Sequence, residues 1–267
     1  MNLAEIRSGY LSEGHDIASA SSKTCQDIIL SKIAKSPLSL NIAIKGGVII
    51  QHISKDKRRA TRDFDLDFIR YSLGDDAIRE FVSALNDVED GVAMNIVAPI
   101  EELNHQDYNG KRVILELTDR NNTRIGAKLD IGVHSKVDVE QEEYCFELDN
   151  IGESVTLLIN SKEQMFTEKL RSLLKLGRFS TRYKDIFDFY YLIYIAGLNK
   201  ERLLKCFAEY IFDAEDMREN NIDDIHARLS GIFRNKAFID KAGAAHNNWL
   251  ELPIADVTRK IIMFFTQ

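Results

Sequence analysis

Three prolines and 14 glycines are all that punctuate this 267-residue chain. That scarcity excludes a collagen-like or linker-rich protein and leaves little room for long disordered segments. Cys25, Cys145 and Cys206 are far apart and form no CxxC pair. Neither a disulfide framework nor a zinc ribbon is expected. No apolar run reaches the roughly 18 residues that a membrane helix needs. The stretch from Met1 to Gly14 is polar and charged, unlike a signal peptide. The expected location is a reducing cytoplasm, without a membrane partner. Positive charge is also scarce: 35 Lys and Arg face 42 Asp and Glu, a formal net charge of −7. A sequence-blind nucleic-acid binder would usually be basic, so nucleic acid must be met by a local patch. What remains is ordinary globular composition, 45% hydrophobic and 29% charged, enough for a core.

Hydrophobic periodicity divides the chain near residue 160. Before that point, helical segments alternate with strands; from Ser161 onward the period is helical to the end. Ala4–Ser36 predicts one or two helices. Ile42-Ala43-Ile44 reads as a strand that stops at Gly46-Gly47, with a helix from Val48 and a charged loop over Ser54–Arg62. Further strands are expected over Asp63–Phe68, Ala93–Ala98, Arg112–Leu117, Arg124–Val133 and Tyr144–Leu148, with a helix over Asp75–Asn86. The domains are thus expected at 1–160, α/β, and 161–267, all helical.

Asp63-Phe64-Asp65-Leu66-Asp67-Phe68 alternates strictly, so three carboxylates share one strand face and three apolar side chains the other. Like charges so placed repel unless a cation lies between them. Magnesium, or manganese in its place, takes hard oxygen ligands that two such acids can supply. A paired-metal site would activate an attacking hydroxyl and steady a leaving phosphate. The bland alternative is a solvated acidic strand. Three further features favour the metal. Gly46-Gly47, between strand and helix, lets backbone N–H groups approach a phosphate, although an ordinary tight turn would look the same. In Lys128–His134, Asp130 alternates onto a polar strand face with Lys128 and His134 and can complete a metal triad; alone it would be a half-exposed strand. Lys169 falls inside the apolar stripe of the helix that Ser161 opens, with Gln164 as a capping-box partner. A lysine there needs a carboxylate, a cleft or a path to solvent, and a triphosphate would suit it.

Between Lys162 and Lys184 seven basic residues, Arg182 among them, face two acids. In an acidic chain this is a footprint for NTP phosphates or an RNA backbone, or else a solvated helix face. Asp185, on a largely apolar helix over Tyr183–Ala196, is expected to be partly buried. Lys169 or an arginine of the 178–182 segment would be its partner.

Five pieces in this order resemble the AbiEii/AbiGii-type nucleotidyltransferase toxins, which include the MenT toxins of toxin–antitoxin pairs. They are Lys45-Gly46-Gly47; Arg59-Ala60-Thr61-Arg62-Asp63-Phe64-Asp65; Leu129-Asp130-Ile131-Gly132; Glu168-Lys169-Leu170; and Arg182-Tyr183-Lys184-Asp185-Ile186-Phe187-Asp188. The match runs from about residue 41 to 195. The resemblance implies an α+β, DNA polymerase β-like nucleotidyltransferase fold with a mixed sheet, followed by a helical domain that contributes Lys169 and Asp185 to the cleft. It implies metal ligands at Asp63, Asp65 and Asp130. It implies nucleotide contacts from Gly46, Gly47, Lys169 and Arg182. It implies transfer of NMP from an NTP to RNA, a tRNA 3′ end above all, and a cognate antitoxin. The sequence departs from compact members in its longer basic loop before Asp63, and in Gly47 where a serine is usual. Asp67, a third acid, leaves the choice of metal-binding pair open. The rival readings are a protein-NMPylating enzyme, a metal-dependent nuclease with Lys128 beside its acids, and a non-catalytic NTP-binding module.

Overall fold

A computed structural model describes residues 1–103, 110–134 and 139–266. The chain divides into two compact units, Met1–Asn160 and the remainder from Ser161.

The first unit carries helices α1 (Leu3–Ser12), α2 (Ile17–Lys35), α3 (Gly47–Ser54) and α4 (Asp75–Asn86). Its strands are β1 (Ile42–Lys45), β2 (Phe64–Phe68), β3 (Val92–Ile96), β4 (Glu101–Glu102), β5 (Lys111–Asp119), β6 (Arg124–Val133), β7 (Gln141–Leu148) and β8 (Glu153–Asn160). They form one sheet in the order β3-β5-β6-β2-β1-β8-β7, with β4 paired to β5. β2–β6 and β1–β8 are parallel and the other pairs antiparallel, so the sheet is mixed.

The alternation seen in the sequence explains how the sheet packs. Phe64, Leu66 and Phe68 are buried, as are Leu129 and Ile131 beside them in register. Each such side chain stabilises by about 1.5–3 kcal/mol on burial. α4 lies on this face, its Phe81 ring edge-on to Phe68 at 5.3 Å. α2 begins at Asp16, whose carboxylate accepts the N–H groups of Ala18 and Ser19. Lys32 on α2 is fully buried, and its ammonium meets Asp90 at 2.9 Å and the carbonyls of Leu85 and Val88. A buried ammonium is tolerable only when paired in this way.

The second unit contains α5 (Lys162–Leu176), α6 (Lys184–Tyr191), α7 (Lys200–Phe207), α8 (Ile222–Phe233), α9 (Lys236–Ala242) and α10 (Ile254–Phe264). Ser161 caps α5, its hydroxyl accepting the Gln164 N–H at 3.1 Å. The Gln164 amide turns instead to Glu168, so only half of the capping box forms. The helix expected over Tyr183–Ala196 is α6 followed by a wider π turn over Leu192–Ala196, ended by Gly197 at φ +73°. Rings of Phe166, Phe189, Phe207 and Phe265 fill the centre. α10 packs internally through Val257 and Ile261.

Candidate active site

The site grows from the register of four strands. β1 pairs Lys45 with Asp65, β2 pairs Asp65 with Asp130 on β6, and β6 pairs Asp130 with Arg112 on β5. Directly opposed residues lie on one face with Cβ atoms about 4.5–5.5 Å apart. Cation, anion, anion, cation therefore stand in one row across the sheet.

Three of these acids, Asp63, Asp67 and Asp130, each meet a cation. Arg112 donates from Nε and Nη2 to the two oxygens of Asp130, both at 2.8 Å. Those bonds push the guanidinium pKa further up, so Arg112 stays charged. Lys45 reaches diagonally to Asp67 at 2.5 Å, and the Asn160 amide donates to the other Asp67 oxygen at 3.3 Å. Lys128 contacts Asp63. Asp67 and Asp130 are buried, whereas Asp63 and Asp65 are half-buried. Asp67 is thus committed to Lys45 and Asn160, one row away from the Asp65–Asp130 pair. His134 turns its Nε2 towards the Val139 carbonyl and Gln141.

Gly46 has φ +73° and ψ −145°, a conformation that suits glycine alone. A Cβ at this position would strike the Asp65 carboxylate. A Cβ on Gly47 would lie 2.7 Å from the Thr61 hydroxyl. The glycine pair thus does two jobs: it turns β1 into α3, and it leaves space for the Asp65 carboxylate over the turn.

Asp65 and Asp130 fit a hard divalent cation in donor chemistry and in placement, being opposed oxygen ligands on neighbouring strands. Among the described residues no three His, Cys, Asp or Glu side chains converge as a metal cluster. Asp63 and Asp130 are instead each ion-paired, with Lys128 and Arg112 respectively.

Lys169 and Asp185 lie in the second unit, in a cluster of their own. The Lys169 ammonium is 2.6 Å from Asp185 Oδ1 and 3.1 Å from Asp188 Oδ2. The Trp249 indole N–H donates to the other Asp188 oxygen at 3.1 Å. Asp188 is fully buried, and Asp185 Oδ2 is buried without a hydrogen bond among the described residues. Arg182 is exposed. Arg171 and Lys175, counted in the basic patch, both contact Asp216, which lies outside the counted segment. Hydrogen bonds from Lys175 and then Arg171 lower the pKa of the exposed Asp216 carboxyl to about 2.

Sequence reasoning gave Arg112 no role and quoted Lys45 only within a motif. A signal for Arg112 existed: Val113, Leu115 and Leu117 are the apolar phase of β5, which puts Arg112 on the opposite, polar face.

A family model described as "Nucleotidyl transferase AbiEii toxin, Type IV TA system" matches residues 28–251. No curated protein matches the chain. No helix among the described residues is long and apolar enough to cross a membrane.

Proposed function

Because this chain belongs to the AbiEii nucleotidyltransferase toxin family, we propose that it transfers a nucleoside monophosphate from an NTP to an RNA hydroxyl, the 3′ end of a tRNA. Nucleotidyl transfer and a toxin's place in a toxin–antitoxin system come with the family, which implies a cognate antitoxin. The acceptor, the metal, the residue roles and a cytoplasmic location are the proposal, as is the DNA polymerase β-like identity of the mixed sheet.

One observation carries it: Asp65 and Asp130 oppose each other on parallel strands, beside a glycine turn that opens a helix. Asp63, Asp65 and Asp130 would hold Mg²⁺, or Mn²⁺. Bound there, the metal supplies positive charge at the reacting phosphate and makes the acceptor hydroxyl more acidic. The backbone N–H groups that follow Gly46 would meet the phosphates, where the start of α3 favours negative charge. Lys169 and Arg182 are assigned to the triphosphate, with Asp185 fixing the Lys169 ammonium. The acceptor oxygen bonds to the α-phosphorus, the bridge to the β-phosphate breaks, and pyrophosphate leaves. The hydroxyl proton passes to Asp130 or to water. Most of the rate would come from positioning and charge neutralisation.

The test is incubation of the protein with Mg²⁺, total tRNA and each α-labelled NTP in turn, beside an Asp65→Ala control. Label on tRNA that is absent from the control is expected. Label on protein alone, or label undiminished in Asp65→Ala, refutes the acceptor or the site respectively.

A further inference from the structure

Asp130 is spoken for. Its side chain is 4% exposed and both of its oxygens are engaged by one guanidinium, at 2.8 Å each. Such a bidentate pair is among the stronger contacts that a carboxylate makes. The two partners differ in freedom. Asp130 sits on β6, between β2 and β5, while the Arg112 side chain is 27% exposed. If one partner yields, it is the arginine.

There is a place for it to go. Arg112 has a register partner on its other side as well, Glu101 on β4. Glu101 is exposed, and among the described residues its side chain makes no hydrogen bond or ion pair. Its charge acts on the guanidinium too, after those of Asp130 and Asp63. The row across the sheet is therefore Lys45, Asp65, Asp130, Arg112, Glu101, with the arginine between two carboxylates.

We propose that Arg112 is a latch on the active site: it occupies Asp130 until a divalent cation claims that carboxylate, and then passes to Glu101. This rests on the metal reading given above. Metal entry then competes with two charge-assisted hydrogen bonds, which neutralise Asp130 beforehand and lower the affinity for metal. Arg112 acts through Asp130 and is a positioning residue. Lysine cannot replace it, because an ammonium has no planar fork to match both oxygens.

The experiment is Mn²⁺ binding by calorimetry to the full chain, without nucleotide, with the Arg112 Nε–H followed by nitrogen-15 NMR. Arg112→Gln is expected to bind Mn²⁺ about tenfold tighter than wild type, the scale of a charge-assisted pair. Glu101→Gln is expected to bind it a few-fold more weakly, because the released arginine has lost its second carboxylate. The Arg112 Nε–H signal of wild type should shift as metal saturates. A signal that stays fixed at saturation, or an Arg112→Gln affinity equal to or weaker than that of wild type, overturns the latch. Arg112→Lys, with its charge kept, should bind metal more tightly than wild type; if it does not, only charge matters and the latch is again refuted. Failure of the metal reading looks different: Asp65→Asn and Asp130→Asn would then bind Mn²⁺ as well as wild type does.

Discussion

Lys45 and Asp67 form a buried ion pair whose removal can be followed from both sides. Their side chains are 7% and 6% exposed, and the ammonium lies 2.5 Å from Oδ1. The other carboxylate oxygen has the Asn160 amide at 3.3 Å. Lys45→Met keeps most of the apolar stem and removes the charge, leaving the buried Asp67 carboxylate with that amide. Breaking a buried pair from one side costs about 3–5 kcal/mol, against a total stability of about 5–15 kcal/mol for a whole domain. The amide moderates the loss, so about 3 kcal/mol is expected at pH 7.5. The deficit should shrink as pH falls. A buried carboxylate stripped of its cation is costly only in its charged form, so acid relieves the penalty. Urea unfolding followed by far-ultraviolet circular dichroism measures this at pH 7.5 and 5. A cycle through Lys45→Met, Asp67→Asn and the double variant isolates the pair from other contacts of Lys45. A coupling energy of about 2–3 kcal/mol is expected. A coupling near zero, or a deficit that does not change with pH, would refute the view that Asp67 is neutralised by Lys45.

Other outcomes are equally open to measurement. Gly46→Ala should cost about 1–3 kcal/mol from backbone strain alone and displace the Asp65 carboxylate, so nucleotide transfer should fall further than the melting temperature suggests. Gly47→Ala meets the Thr61 side chain first and has no positive φ to strain, so it should be milder; equal effects would contradict the geometry. Asp27 on α2 accepts the Tyr10 hydroxyl, and burial pushes its pKa up to about 6. A raised carboxyl pKa means that stability is fully present below the unfolded value and is lost as pH rises through the folded one. Asp27→Asn should therefore remove a decline of about 2–3 kcal/mol between pH 4 and 7; unfolding curves at those pH values with an unchanged slope would rule this out.

The strand acids were legible because period-two alternation sorts side chains locally: Asp63, Asp65 and Asp67 need no knowledge of the rest of the chain. Their partners were not legible, because a cross-strand neighbour is fixed by register. Arg112 meets Asp130 only because β5 and β6 pair as they do, and a slip of one residue would send Arg112 to the other face. Asp67 showed the same limit. On the strand it looks like its two sister acids, and only the reach of Lys45 and Asn160 sets it apart. In the second unit Lys169 and Asp185 were close enough in sequence to suggest their pairing, whereas Trp249, 61 residues beyond Asp188, was not. The capping box forms only by half: the Ser161 hydroxyl accepts the Gln164 N–H, while the Gln164 amide nitrogen donates to Glu168 and its oxygen is without a hydrogen bond among the described residues.

β2 is the fourth of seven strands in the main order, with three on either side. Its amides, Phe64 to Phe68, are as far from a fraying edge as the sheet allows. Their hydrogens should trade with deuterium only through the largest openings of this unit, while those of β3 and β7 trade sooner. Local breathing at the rim is therefore expected to leave Asp65 in register with Lys45 and Asp130. An agent that acts on the chain by loosening it must therefore open the middle of the sheet, and not its rim, to displace this row.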